Sequence, residues 1–167
     1  MLAGALRRPK PLSRQLCPEA RNILARAALH AVTPALPDRM SESPTSQSSD
    51  ALSQAQRAAQ LCVEFKAQDV TLLDLKTVSD MTDYFLIASG TSDTHVRSMA
   101  EHVVEELRRE GTRVQHVEGL AQGRWVLLDY VDFVVHLFHP TLRQFYQLER
   151  LWSDAEVIAV DRQGALK

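Results

Sequence analysis

The sequence predicts an α+β (mixed α/β) domain, in which a five-stranded mixed sheet is flanked by helices in the order α-β-β-α-β-β-β-α. Two observations lead to this fold class. Apolar runs of strand length recur between residues 70 and 139, and separate stretches place apolar residues every three or four positions, as amphipathic helices do. The predicted domain spans residues 51–160, which is long enough for an independent hydrophobic core.

The first half of this domain is predicted to be a helix followed by two strands. Ser49 or Asp50 is suited to cap a helix that extends to about Gln68. A strand over 70–76 follows, and the continuous apolar run 84–89 predicts a central strand that is buried on both faces. One helical face carries the apolar residues Leu52, Ala55, Ala59, Cys62 and Phe65.

A second helix is predicted from about Ser92 to Glu110, after Gly90 ends the central strand. A strand at 113–118 then completes a βαβ crossover, so the strands at 84–89 and 113–118 should be parallel and the crossover right-handed. The apolar residues that recur at helical spacing are Val96, Met99, Ala100, Val103, Val104 and Leu107.

The last part of the domain is predicted to form a hairpin and a helix. Strands at 124–130 and 133–139 are separated by Val131 and Asp132, the spacing of a tight hairpin. Val131 is unfavourable there because a β-branched residue disfavours positive φ. Pro140 begins a helix whose apolar face includes Leu142, Phe145, Leu148, Leu151 and Trp152, and residues 156–160 form a short strand or an extended tail.

The chain changes composition near residue 40. Residues 1–39 are rich in Pro and Arg with a net charge of +5, residues 40–50 form a Ser-rich linker, and residues 40–167 carry −7. Residues 161–167 are expected to be a C-terminal tail. Three interpretations fit residues 1–39: a transit segment, a basic arm that contacts RNA, or an untranslated stretch with the true start at Met40.

The sequence predicts no catalytic residue, no metal ligand and no cofactor. The turn 90–92 precedes a helix but lacks the further glycines and the Lys of a phosphate loop, so it is expected to be a helix cap. Asp129 and Asp132 are three residues apart, a spacing that does not place two carboxylates on one strand face. Cys17 and Cys62 have no evident partner, and no apolar run is long enough to span a membrane.

A protein partner is the better expectation. A domain charge of −7 repels the phosphates of DNA and RNA and favours a basic protein. Trp125, Leu127 and Asp129 share one strand face, while Tyr130 is on the other with Val126 and Leu128. Trp125 and Tyr130 border polar turns, so each is either an interface anchor or an ordinary packing residue. A second copy of the chain is a further candidate partner.

Five strings in order resemble the ribosomal silencing factor family (RsfS, also called Iojap): TDYFLIASGTSDTHVRSMAEHVV at 82–104, EG at 118–119, WVLLDY at 125–130, VVHLF at 134–138 and RQFYQLERLW at 143–152. The resemblance covers about residues 52–160. It implies a non-enzymatic protein that binds the large ribosomal subunit through large-subunit protein fourteen, blocks subunit joining and represses translation. Organelle members are linked to large-subunit assembly. The implied fold is similar to nucleotidyltransferases without their metal carboxylates.

The resemblance also implies a partner-binding set. The family residues fall on Trp125, Asp129, Asp132, His136, Tyr146, Glu149 and Trp152, and we add Leu127 and Tyr130 from the same strand. Val131 departs from the family, which usually has Gly there, and this puts the presentation of Asp132 in question. The expected location is the bacterial cytoplasm, or a mitochondrion or plastid if residues 1–39 are a transit segment. A nucleotidyltransferase-like enzyme using the turn 90–92 and an RNA-binding factor led by the basic segment are the alternatives.

Overall fold

A computed structural model describes residues 44–158 and 160, so the predicted segment 1–39 and tail 161–167 lie outside the described residues. The predicted order of elements is confirmed, with a sixth strand at the end. The elements are α1 (Pro44–Glu64), β1 (Gln68–Asp74), β2 (Tyr84–Ser89), α2 (Asp93–Arg109), β3 (His116–Glu118), β4 (Trp125–Asp129), β5 (Phe133–Phe138), α3 (Pro140–Tyr146), α4 (Leu148–Leu151) and β6 (Glu156–Ile158).

Helix α1 begins at Pro44, earlier than the predicted caps Ser49 and Asp50. Proline suits the first helical turn because the amide hydrogen that it lacks has no helical acceptor there. The part of the predicted Ser-rich linker from Pro44 onward is therefore helical, since serine lowers helix propensity only slightly and does not prevent a helix.

The six strands form one mixed sheet in the order β3-β4-β5-β2-β1-β6. Strands β2 and β5 are parallel, and each other neighbouring pair is antiparallel. Strand β3 therefore has the same direction as β2, as the βαβ pattern predicted, although two strands lie between them. Strand β6 pairs with β1 and is the edge strand at the end of the sheet opposite β3.

The two faces of the sheet are covered differently. On one face, α1 and α2 bury the main hydrophobic core, which includes Leu86, Val126 and Val135. The other face, here called the aromatic face, is defined by the alternate residues Phe85, Trp125, Leu127, Val134, His136 and Phe138. Helices α3 and α4 follow β5. Tyr146 of α3 contacts Trp125, and Trp152, which follows α4, contacts Phe85. Both faces of β4 are consequently buried.

Helix α2 matches its prediction closely. The Ser92 side chain accepts a hydrogen bond from the His95 amide, and the five buried residues of the helix all belong to the predicted apolar stripe. The Thr91 amide donates to His95 Nδ1 at 3.0 Å, and the Val96 amide donates to the Ser92 carbonyl at 2.9 Å. Within the turn 90–92, Ser92 thus caps the helix, while the Gly90 amide donates to the Phe138 carbonyl at 2.9 Å. Across the described ranges, the helices include none long and apolar enough to cross a membrane.

Candidate partner-binding surface

Trp125 is the first residue of β4 and makes several contacts on the aromatic face. Its indole Nε1 donates a hydrogen bond to His136 Nδ1 at 3.3 Å. Its ring stacks with Phe138 at a centroid distance of 4.8 Å and is tilted against Tyr146 of α3 at 4.9 Å. Only 6% of Trp125 is exposed. The residue expected to anchor a partner is therefore packed between the sheet and helix α3 in the free protein.

His136 is buried in its neutral form. Its exposed fraction is 1%, and burial lowers its pKa to about 3 because the charged imidazolium would lose its hydration. Since Nδ1 accepts from Trp125, the proton is assigned to Nε2, which has no hydrogen-bond partner within the described residues. The Phe85 ring meets the imidazole in a T-shaped contact at 4.8 Å. His136 thus orients Trp125 and carries no charge.

Helices α3 and α4, here called the α3–α4 cover, are held to the sheet by Arg143. Its guanidinium donates to Ser89 Oγ at 2.9 Å and to Thr71 Oγ1 at 3.3 Å. It also pairs with Glu149 at 2.6 Å, with only 13% of the Arg143 side chain exposed. These contacts join the cover to β1 and β2 by charge-assisted hydrogen bonds.

The single predicted helix after Pro140 is divided in two at Gln147. This residue has φ 45° in the left-handed region, where an α-helix cannot continue. After the break, Trp152 reaches Phe85 in a T-shaped contact at 5.7 Å. The expected apolar face is not buried throughout, since 65% of Phe145 and 45% of Leu151 are exposed.

The β4–β5 hairpin forms a strained turn at Val131. The Asp129 carboxylate accepts from the Val131 amide at 2.8 Å, and the Tyr130 carbonyl accepts from the Asp132 amide at 3.0 Å. This i to i+2 hydrogen bond, with φ 74° at Val131, describes a γ-turn. Strand β4 ends at Asp129, so three residues connect it to β5 instead of the predicted two, although the Tyr130 amide still donates to the Phe133 carbonyl at 3.0 Å. Val131 adopts the positive φ that its side chain disfavours.

The hairpin tip presents an acidic surface. The Asp132 carbonyl accepts from the amides of Asp83 and Tyr84 at 2.9 and 3.3 Å, which fixes the tip against the start of β2. The Asp132 side chain remains exposed. Partial burial, and secondarily the nearby charge of Asp83, raises the pKa of the Asp132 carboxyl. Asp132 is the residue of the predicted set that is most open to a partner.

The predicted set is divided by the sheet. Tyr130 lies on the opposite face, where it stacks on Phe133 at 4.6 Å in the main core and burial raises the pKa of its phenol. The other eight residues lie on the aromatic face, in the α3–α4 cover and its continuation, or at the hairpin tip. Trp125, Leu127 and His136 are buried, Asp132 is exposed, and the remainder are half-buried: Asp129, Tyr146, Glu149 and Trp152. Their role in binding stays a prediction.

Two residues that contribute to this surface were not predicted as site residues. Arg143 anchors the cover, but an arginine within an amphipathic helix has no sequence signal that separates it from a solvated one. Helical periodicity places Phe145 on the apolar side of a helix, but 65% of its side chain is exposed. The part of the chain that the structure describes includes no group of three or more His, Cys, Asp or Glu residues placed to hold a metal ion.

Comparison with known proteins identifies relatives of the whole domain. The sequence model of the family described as "Ribosomal silencing factor during starvation" matches residues 47–167. Ribosomal silencing factor RsfS of Bacillus subtilis (strain 168) is 40% identical over 104 residues, which cover 62% of this chain and 88% of that protein. A Mus musculus protein named "Mitochondrial assembly of ribosomal large subunit protein 1" is 32% identical over 90 residues, covering 52% of this chain and 40% of that protein.

Two crystal structures are similar to the described fold. One, from Chromobacterium violaceum, has a TM-score of 0.57 at 30% identity and covers 63% of this chain and 85% of that chain. The other, from Bacillus halodurans, has a TM-score of 0.56 at 34% identity and covers 66% of this chain and 98% of that chain. Because the family match extends from within α1 through β6 and covers most of the sequence, the chain belongs to the ribosomal silencing factor family.

Proposed function

We propose that this protein binds the large ribosomal subunit through large-subunit protein fourteen, sterically blocks joining of the small subunit and so represses translation. The observation that carries the proposal is the family match over residues 47–167. The named function of the Bacillus subtilis relative supports silencing as the outcome. In this mechanism the protein acts by occupying a surface and performs no chemical step.

The charge distribution supports a basic protein as the partner. The described residues include 17 acidic and 10 basic side chains, a net charge of −7. Several of the basic side chains are engaged within the protein: Arg57 pairs with Glu110 at 2.8 Å, and Arg97 donates to the carbonyls of Leu120 and Ala121. The surface therefore offers more available carboxylates than cations. Ribosomal proteins are generally basic, and opposite charge speeds encounter and orients docking.

Within the predicted set, the exposed and half-buried members are the ones placed to touch a partner directly. Asp132 at the hairpin tip and Asp129 beside it provide negative charge, and Tyr146 and Trp152 provide apolar area from the α3–α4 cover and its continuation. Contributions from such rim charges should decrease as salt is raised, because exposed charges are screened over about 10 Å at 0.1 M ionic strength.

The experiment is subunit joining measured by light scattering with purified large and small subunits. We expect saturating wild-type protein to prevent joining and Asp132→Lys to require more protein for the same effect. Glu101→Lys is the matched control, since Glu101 is exposed on α2, an element that packs on the other face of the sheet. Normal joining while the large subunits are shown to be fully occupied would rule out the steric mechanism.

A second candidate function is assembly of the large subunit in an organelle. The printed name of the mouse relative favours it. Depletion of the protein from its own cells distinguishes the two functions. Assembly predicts that precursors of the large subunit accumulate on sucrose gradients, whereas silencing alone leaves mature large subunits at their normal level and raises the fraction joined to small subunits.

A further inference from the structure

Three aromatic rings form a column from solvent to the sheet. The Phe145 ring, 65% exposed, meets Tyr146 in a T-shaped contact at 5.0 Å. Tyr146 is half-buried and packs on Trp125 at 4.9 Å, and Trp125 is 6% exposed. We call Phe145, Tyr146 and Trp125 the aromatic column. Its outermost ring is the large apolar side chain with the greatest exposed fraction among the described residues.

The base of the column is held in place. Trp125 is fixed by its hydrogen bond to His136 and its stack with Phe138. Arg143, two residues before Phe145, ties α3 to β1 and β2 through Thr71 and Ser89. A ring presented on such a fixed base loses little conformational entropy when a partner covers it, so more of its apolar contact remains as binding free energy.

Carboxylates lie on the same sheet face as Trp125, the base of the column. The pairing register places Glu118 and Asp129 opposite Leu127 and His116, so both project from the same sheet face as Trp125. Asp129 ends β4 and Trp125 begins it, about 13 Å apart along the strand, so this sheet face carries negative charge at the hairpin end and the aromatic column at the other. Lys and Arg side chains are attracted both to aromatic faces and to carboxylates. A basic protein surface therefore matches this side of the molecule.

A second copy of this chain matches it less well. Each copy carries −7 within the described residues, and like charges oppose self-association at the same surface. We propose that Phe145 is the apolar contact that enters the basic ribosomal protein, and that Trp125 is a positioning residue that supports Tyr146 and Phe145 without touching the partner. This inference rests on the proposed function and assigns its contact surface.

Co-sedimentation with purified large subunits tests the assignment, with circular dichroism as the control for folding. We expect Phe145→Ala to keep its melting temperature and to weaken binding about tenfold or more, as truncation of an anchoring aromatic does. Phe145→Tyr should bind like wild type. Val157→Ala is the matched control: 63% of Val157 is exposed on β6, which lies four strand spacings, about 19 Å, from β4. It should bind normally.

Trp125→Phe tests the supporting role, because it keeps an aromatic ring beneath Tyr146. We expect binding within about threefold of wild type, below the loss expected of an interface hot spot. If folded Trp125→Phe loses as much binding as Phe145→Ala, Trp125 itself is the contact and the assignment is wrong. If Phe145→Ala pellets with large subunits as well as the wild type does, the assignment of Phe145 is also wrong. If the wild type itself does not pellet with large subunits, the proposed function is wrong as well. If Phe145→Ala alters only self-association, measured by sedimentation velocity, the column is a contact between copies and the proposal fails.

Discussion

Replacing Val131 by glycine should stabilise the protein. Val131 has φ 74°, and holding a β-branched residue in the left-handed region costs about 1–3 kcal/mol. Its side chain is 59% exposed, so little buried contact is lost. Glycine relieves the strain but gives the unfolded chain more freedom, which offsets about 0.5–1 kcal/mol. The net expectation is an increase of about 1 kcal/mol in the free energy of unfolding, or about 4 °C in melting temperature for a domain of this size.

Urea unfolding and thermal melting of the wild type and Val131→Gly measure this difference. Val157→Gly provides the comparison, because Val157 is equally exposed and lacks a positive φ. We expect that substitution to destabilise, since glycine weakens a strand. If Val131→Gly is destabilised as much as Val157→Gly, the backbone at Val131 carries no significant strain and the reasoning is refuted.

Two further substitutions test the burial and charge of this region. Trp125→Ala should lower the free energy of unfolding by about 3–5 kcal/mol, because it removes a buried ring and leaves a cavity beside Phe138 and Tyr146. Urea unfolding measures this loss, and a change below about 1 kcal/mol would mean that the aromatic face is loosely packed. Burial and Asp83 raise the pKa of Asp132, so the wild type should lose stability as the pH rises through the range just above the ordinary value of 3.8. Asp132→Asn should lose less over that range in parallel melts, and identical pH profiles would contradict the raised pKa.

Several elements followed from local sequence because local physical constraints determine them. The spacing of Val96, Met99, Val103 and Leu107 predicts which side of α2 is buried, and Ser92 provides the cap. The short connection between the apolar runs of β4 and β5 likewise favours a hairpin. The strand at 84–89 is apolar without interruption because helices cover one of its faces and the α3–α4 cover the other.

Other features depend on contacts between distant residues. Proline at position 44 and a serine-rich stretch allowed either a helix or a linker, and the structure forms α1 there. The break at Gln147 has no local breaker residue such as Gly or Pro, yet after it Trp152 contacts Phe85. Sequence periodicity therefore predicted a helix but could not predict where it turns.

Side chains alternate along any strand, so the order of residues in β4 is enough to predict that Trp125 and Tyr130 lie on opposite faces of the sheet. The acidic character of the domain likewise follows from composition. That Tyr130 belongs to the main core and Trp125 lies beneath Tyr146 depends on how the helices pack on the two faces. Both faces of β4 are apolar, so the choice between them required helices from elsewhere in the chain to pack against the sheet.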